Sequence, residues 1–279
     1  MKKKGFLFLF LLTVSLINLQ AKPVKVSFQT QDGWSISAAY QAPDKQSKTV
    51  VLLHDVAKSH REFEVFCGKV SEKGLGYLAL DLRGHGESVS KGTYSSFAKE
   101  GVDNDYNKMV RDVSAAMNFL KEKGINEEDV FLVGVGLGAS VAAKTSSMWP
   151  NVLGIALISP VTNFRDILTI PALRVYKGNV FLAAAADDKK AFLEASMMRN
   201  VSFLTAGEGK VTFATAYDKK SHELLDTWLS AELLQWLQTP VKPELLPDIV
   251  QMEEDPYNGA YETVAPSSTE EALFPSILQ

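Results

Sequence analysis

Cysteine is nearly absent: Cys67 is the only one in 279 residues. No disulfide can form within the chain, so the fold must rest on its apolar core. Histidine is also scarce, at four, and no short-spaced set of His, Cys and acids forms a metal-binding motif. His54, Asp55, Asp188 and His222 are the only plausible metal surround, and nothing in their spacing supports one, so no metal and no cofactor is expected. A basic excess is missing too. The net charge is −4, residues 22–240 carry equal numbers of acids and bases, and Lys242 is the only base in the acid-rich stretch 241–279. A nucleic-acid surface needs a basic patch and is not expected. The apolar run from Phe6 to about Leu19 is too short for an ordinary membrane span.

The sequence does carry an address at its start. Lys2, Lys3 and Lys4 precede an apolar run from Phe6 to about Leu19, followed by Gln20-Ala21-Lys22. A basic region, a short apolar core and a small residue at the cut are the parts of a secretory signal. Residues 1–21 are expected to be a signal peptide and the protein to be exported, periplasmic or secreted. Leu19 is only a fair residue at the −3 position, so an uncleaved leader stays open and would be the one route to membrane attachment.

The chain from 22 to 240 reads as one α/β domain. Val24–Thr30 and Trp34–Tyr40 alternate about the turn Gln31-Asp32-Gly33, an antiparallel hairpin. Thr49–His54 and Tyr77–Asp81 are continuous apolar runs, the pattern of strands buried on both faces. Further strands are expected at Val130–Val133, Val152–Ser159, Val180–Ala184 and Val211–Ala216. Helices are expected over Glu62–Lys73, over Asp105–Lys123 with Tyr106, Val110, Val113, Met117 and Leu120 on one stripe, and over Glu223–Leu237. Strands alternating with helices imply a mostly parallel, doubly wound sheet. Residues 241–279 form an acidic extension interrupted by five prolines, yet with enough Leu, Ile, Val and Tyr to dock in places on the domain or a partner.

The most specific signal lies in Phe131-Leu132-Val133-Gly134-Val135-Gly136-Leu137-Gly138-Ala139-Ser140. An apolar strand stops at Gly134 and an Ala/Val-rich helical pattern follows. Together with Leu52-Leu53-His54-Asp55, Asp81-Leu82-Arg83-Gly84-His85-Gly86-Glu87-Ser88, the acids Asp187-Asp188 and a late His222, this stretch resembles the α/β-hydrolase superfamily, in its esterase, lipase and serine-aminopeptidase-like branch. The resemblance implies an α/β-hydrolase fold, with the N-terminal antiparallel hairpin and little or no lid, because only about 20 residues separate Ser159 from Val180. One small helix within Asp166–Tyr176 is expected there.

The resemblance also implies roles. In Gly134-x-Gly136-x-Gly138 the centre of the nucleophile elbow falls on Gly136, where the superfamily places serine. The acid falls on Asp188, with Asp187 the lesser register, and the base on His222. The oxyanion donors fall on the backbone N–H groups of Val56 and Leu137. Without a hydroxyl at 136, an Asp188–His222 pair has nothing to activate. Asp55 is a second departure, since a carboxylate beside the oxyanion hole opposes developing negative charge.

Other residues have structural readings. His54 is expected to cap a strand end, His60 to face solvent, His85 to shape the pocket rim, Ser140 to lie a turn too deep to replace a nucleophile, and Cys67 to be a buried, inert thiol. Two function classes stay open. One is a non-catalytic binder of a small apolar or ester-like ligand or of a protein. The other is a weak or atypical ester or peptide hydrolase using His222 and Asp188.

Overall fold

The computed structural model describes residues 22–44 and 47–240. The expected signal peptide and the acidic extension lie outside the described residues. Ten strands and six α-helices occur among them. The first strands are β1 (Val24–Gln29), β2 (Ser35–Gln41), β3 (Thr49–Leu53), β4 (Gly76–Leu80) and β5 (Val130–Val135). They are followed by β6 (Gly154–Ile158), β7 (Asn163–Phe164), β8 (Ile167–Leu168), β9 (Asn179–Ala185) and β10 (Val211–Ala216). The helices are α1 (Glu64–Glu72), α2 (Val110–Glu122), α3 (Leu137–Ser146), α4 (Thr169–Leu173), α5 (Lys189–Ala206) and α6 (Leu229–Gln238).

Eight strands form one sheet in the order β1-β2-β4-β3-β5-β6-β9-β10. β1 and β2 are an antiparallel hairpin, β2 runs antiparallel to β4, and every other pairing is parallel. Every residue of β3, β4, β5, β6 and β9 is buried, as strands covered on both faces must be. Alternate side chains serve two cores. Val51, Leu53, Leu78 and Leu80 meet Met109, Val113 and Leu120 of the α2 region and the Ala/Val face of α3. Val50, Leu52, Phe131 and Phe181 meet Phe66 and Val70 of α1 and Leu229, Leu233 and Leu237 of α6. Each fully buried Leu, Val or Phe contributes about 1.5–3 kcal/mol, so these layers outweigh anything in the loops.

A buried arginine ties the loops at one end of the sheet together. Arg83 donates from Nε to Asp112 Oδ1 (2.8 Å) and from Nη1 to Asp32 Oδ2 (2.7 Å), while its own backbone N–H meets Asp112 Oδ2 (2.8 Å). Partial burial pushes the Asp32 carboxyl up, but hydrogen bonds from Arg83 and Thr30 outweigh it and hold it at about 2. One side chain thus fastens the hairpin turn, the segment after β4 and the start of α2.

Four elements differ from the sequence expectation, the largest being α5, which fills a stretch between β9 and β10 where no helix is expected. The helix expected from Asp105 begins at Val110, because Asn104 Oδ1 takes the Asn107 N–H (2.8 Å) and holds the chain in a turn before a short 3-10 segment at 107–109. The last helix is broken. A 3-10 turn spans Ser221–Asp226, and Thr227, in extended conformation, accepts the Leu229 N–H on its hydroxyl (3.2 Å) before α6 starts. The stretch between β6 and β9 holds the small β7–β8 hairpin as well as the short α4.

Candidate functional site

The site lies where β3, β5 and β6 end and the loop after β10 folds back, at the carboxyl ends of the parallel strands. Its first part is the turn from β5 to α3. Gly136 has φ +53° and ψ −111°, and its N–H donates to Ile158 O (2.9 Å). Gly134 and Gly138 flank it because the turn is too tight for side chains. A Cβ on Gly134 would strike the backbone of Gly138, and one on Gly138 would strike the backbone of Leu53.

The second part is the segment after β3, and it is unusually well tied. His54 is buried, accepts the Leu82 N–H on Nε2 (3.0 Å) and so directs Nδ1–H to Asp55 O (2.7 Å). Burial lowers its pKa to about 4, so it stays neutral. The Asp55 N–H donates to Glu62 Oε2 (2.8 Å).

The Asp55 carboxylate then closes the site. Its Oδ1 accepts both the Val56 N–H (2.7 Å) and the Leu137 N–H (3.0 Å). Its Oδ2 accepts the Ser221 hydroxyl (2.6 Å). The same carboxylate fills the space above Gly136. A Cβ built there would overlap Oδ1 and the carboxyl carbon and stand 2.6 Å from Oδ2. Ser221, at φ +52°, also donates its N–H to Ser159 Oγ (3.1 Å), which holds the β10 loop over β6.

The structure thus gathers Val56, Leu137, Gly136 and Asp55 at one point, with His222 in the adjoining turn. It does not bring Asp188 to His222. Asp188 caps α5, accepting the Ala191 N–H on Oδ1 (3.1 Å), and its Oδ2 faces Lys220 Nζ at 3.8 Å. Asp187, the other register, is exposed. The carboxylate facing the imidazole is Glu62, whose Oε1 stands 3.2 Å from His222 Nδ1 without hydrogen-bond alignment. Burial raises the Glu62 pKa, and the nearby Asp55 charge adds to that against the pull of the Asp55 N–H and His222. His222, Glu62, Lys58 and Arg61 line a cavity of about 500 Å³ beside this point.

Sequence reasoning missed Glu62 and Ser221. Glu62 reads as an ordinary first-turn acid, and Ser221 as a loop residue beside a histidine. Only its spacing from Asp55 in three dimensions gives either a role. His60 is also corrected: it does not simply face solvent, but bonds buried Asp81 through both its backbone N–H (2.7 Å) and Nδ1 (2.8 Å). That bond outweighs desolvation and raises the His60 pKa. His85 stacks on Tyr94 at 4.3 Å and leans on His54. Ser140 is fully buried, and burial pushes the Cys67 thiol up to about 12.

A parallel sheet wrapped by helices, an antiparallel hairpin at its first edge and a glycine-flanked strand–helix turn define an α/β-hydrolase fold. Residues 44–187, just over half of the chain, match the family described as serine aminopeptidase, S33, and the chain belongs to that family. Protein phosphatase methylesterase 1 of Candida albicans is 25% identical over 124 residues, covering 44% of this chain and 31% of that protein. A serine hydrolase-like protein of Dictyostelium discoideum is 24% identical over 129 residues, covering 46% and 33%. The matched region thus spans about a third of the length of these curated relatives. Among solved structures, the Pyrococcus furiosus esterase Pf2001 superposes with a TM-score of 0.61 at 18% identity, covering 78% of this chain and 92% of that one. An esterase from Exiguobacterium antarcticum gives 0.59 at 16%, covering 77% and 100%. At such identities these structures speak for the fold alone.

Proposed function

We propose that this chain is an α/β-hydrolase-fold protein without a serine nucleophile, a non-catalytic binder of a ligand or protein that acts outside the cytoplasm. One observation carries the reading. The Asp55 carboxylate takes the two backbone donors, Val56 and Leu137, that a serine hydrolase of this fold would aim at a developing oxyanion, and it fills the space a side chain at Gly136 would need. With the elbow empty of a hydroxyl and the donors already satisfied, neither attack nor charge stabilisation is provided for. The leader-like residues 1–21 support export, and the periplasm or the exterior is the expected compartment. The cavity beside His222 is the place for a small ester-like ligand. Its Lys58, Arg61 and Glu62 lining favours one with a polar group over a wholly apolar one.

The His222–Glu62 pair favours a second reading, a slow ester or peptide hydrolase in which the imidazole acts as base on water and Glu62 takes the orienting role that Asp188 does not. A panel of p-nitrophenyl esters and aminoacyl substrates, run beside a fluorophosphonate probe, separates the two. The first reading expects no labelling and no turnover above an unrelated protein at equal concentration. Turnover lost on His222→Ala would establish the second, and stoichiometric labelling of any serine would overturn the first.

A further inference from the structure

Helix α5 carries an apolar seam that its own domain does not use. Ala195, Met198 and Ser202 are buried and bind the helix to the sheet. On the far side Leu193, Met197 and Leu204 are exposed at 60%, 50% and 90%, with exposed Asn200 among them. At 100° per residue these four positions fall within roughly 60° of one another, opposite the buried three. Their spacing of four, three and four residues is that of the a and d positions of a coiled coil, a period of 3.5. Single exposed leucines are ordinary, whereas three large apolar side chains in one outward seam mark an interaction surface.

We propose that this seam pairs with the same helix of a second copy, antiparallel about a two-fold axis. Two observations select that occupant. The four-three-four spacing reads the same in both directions. An antiparallel copy therefore sets Leu193 against Leu204 and Met197 against Asn200, at both ends alike. Charge agrees with the same register. Exposed Lys189 and Lys190 open the helix and exposed Glu208 follows its end, so each copy's Lys189 comes opposite the other's Glu208. Between those ends Glu194 is held by the Thr162 N–H (2.9 Å), and the Arg199 guanidinium, 5.7 and 5.2 Å from the ring centroids of Phe203 and Phe213, reaches the seam only through its hydrogen bonds to Asn200 Oδ1 (3.3 and 3.2 Å). A single polar residue in the seam, Asn200, is the kind that fixes register at some cost in affinity.

One helix per copy is a small interface, so the full chain should show a monomer–dimer equilibrium with Kd on the order of micromolar. Sedimentation velocity over a concentration series measures it. Leu204→Glu should weaken the dimer at least about tenfold while circular dichroism stays unchanged, because the side chain touches little of its own domain. Glu208→Lys should weaken it, and adding Lys189→Glu should restore it. A mixture of Leu193→Cys and Leu204→Cys proteins should form a disulfide between unlike copies in preference to like ones. A monomer at every concentration overturns the proposal, as does a dimer indifferent to Leu204→Glu. Preference for like-copy disulfides overturns the antiparallel register. A monomer that binds lipid vesicles through α5, or one whose Met197 is protected from peroxide, shows a different occupant and also overturns it.

Discussion

Introducing a hydroxyl at position 136 should evict Asp55, so that deleting Asp55 as well costs little more. Gly136→Ser places a side chain where the Asp55 carboxylate now stands, at a backbone φ of +53°. The conformation alone costs roughly 1–3 kcal/mol for a residue with a Cβ. Evicting Asp55 breaks its bonds to the Val56 N–H, the Leu137 N–H and the Ser221 hydroxyl. Each bond to a charged group is worth about 1.5–3 kcal/mol, and water replaces some of them, so eviction costs on the order of 2–4 kcal/mol. The single variant should therefore lose about 3–7 kcal/mol, which at about 2–4 °C per kcal/mol is a drop of about 6–28 °C in Tm. Asp55→Ala loses the same bonds by deletion. In Gly136→Ser/Asp55→Ala the eviction is counted once, so the double variant should be more stable than the sum of the singles by about 2–4 kcal/mol. Chemical denaturation of the four proteins gives the cycle. The same set, treated with a fluorophosphonate, should show labelling of the introduced hydroxyl in the double variant and at least about tenfold slower labelling in Gly136→Ser alone. Additivity within about 0.5 kcal/mol would refute the reasoning, because it would mean that Asp55 and a side chain at 136 do not compete for one space.

Other groups give sharper tests of single contacts. Asp112→Ala should cost about 3–5 kcal/mol by leaving Arg83 buried without its main partner, and Arg83→Met combined with Asp112→Leu should cost far less than the two singles together, as read by urea titration. Because the His60 pKa is raised in the folded protein, its bond to Asp81 stabilises fully below the ordinary imidazole range and is lost as pH rises through the raised value; the stability gap between wild type and His60→Gln should shrink over that window. The Glu62 carboxyl is also raised, which for an acid means a burden that sets in as pH climbs from the ordinary carboxylate range through the raised pKa, so Glu62→Gln should gain on wild type in Tm from acid to neutral pH, and a flat difference would count against a buried charge there. In the Gly136→Ser/Asp55→Ala background, His222→Ala should slow labelling strongly and Asp188→Ala should not, since Asp188 serves α5 instead of the imidazole.

How much of this was legible in the sequence depends on the range of the interactions. The hairpin about Gln31-Asp32-Gly33, the wholly apolar runs of β3 and β4, and the α2 stripe through Val113, Met117 and Leu120 follow from local periodicity, and the structure has them. Helix α5 was not legible, because its apolar residues occupy both the buried and the outward side and no amphipathic period stands out. The start of α2 slipped by several residues because Asn104 competes for a backbone N–H, a side-chain effect that periodicity cannot see. At the site, the resemblance to α/β-hydrolases put roles on Gly136, Val56, Leu137 and His222, but Glu62, the carboxylate facing His222, is far away in sequence and has no motif of its own. Asp188 looked right by order and is held by its neighbours in α5.

Gly136 and Asp55, the two positions at which the sequence resemblance implies a departure from the α/β-hydrolase pattern, are coupled in space. From sequence, Asp55 looks like a repulsive charge set beside an anion-binding point. In the folded chain it is the anion at that point, bonded to both donors. Glycine at 136 makes this possible, because only a residue without a Cβ leaves room for the carboxylate. Either alone would be a defect: a side chain at 136 would collide with Asp55, while glycine at 136 without Asp55 would leave two N–H groups aimed at an empty turn. Together they satisfy the donors and remove the collision, and the Ser221 hydroxyl extends the lock to the loop that carries His222. An internal carboxylate is present at every moment and needs no binding step, so an external anion must displace it to reach Val56 and Leu137. On the reading proposed above, the neighbouring cavity would offer a ligand His222, Glu62, Lys58 and Arg61, while the two backbone donors stay bonded to Asp55.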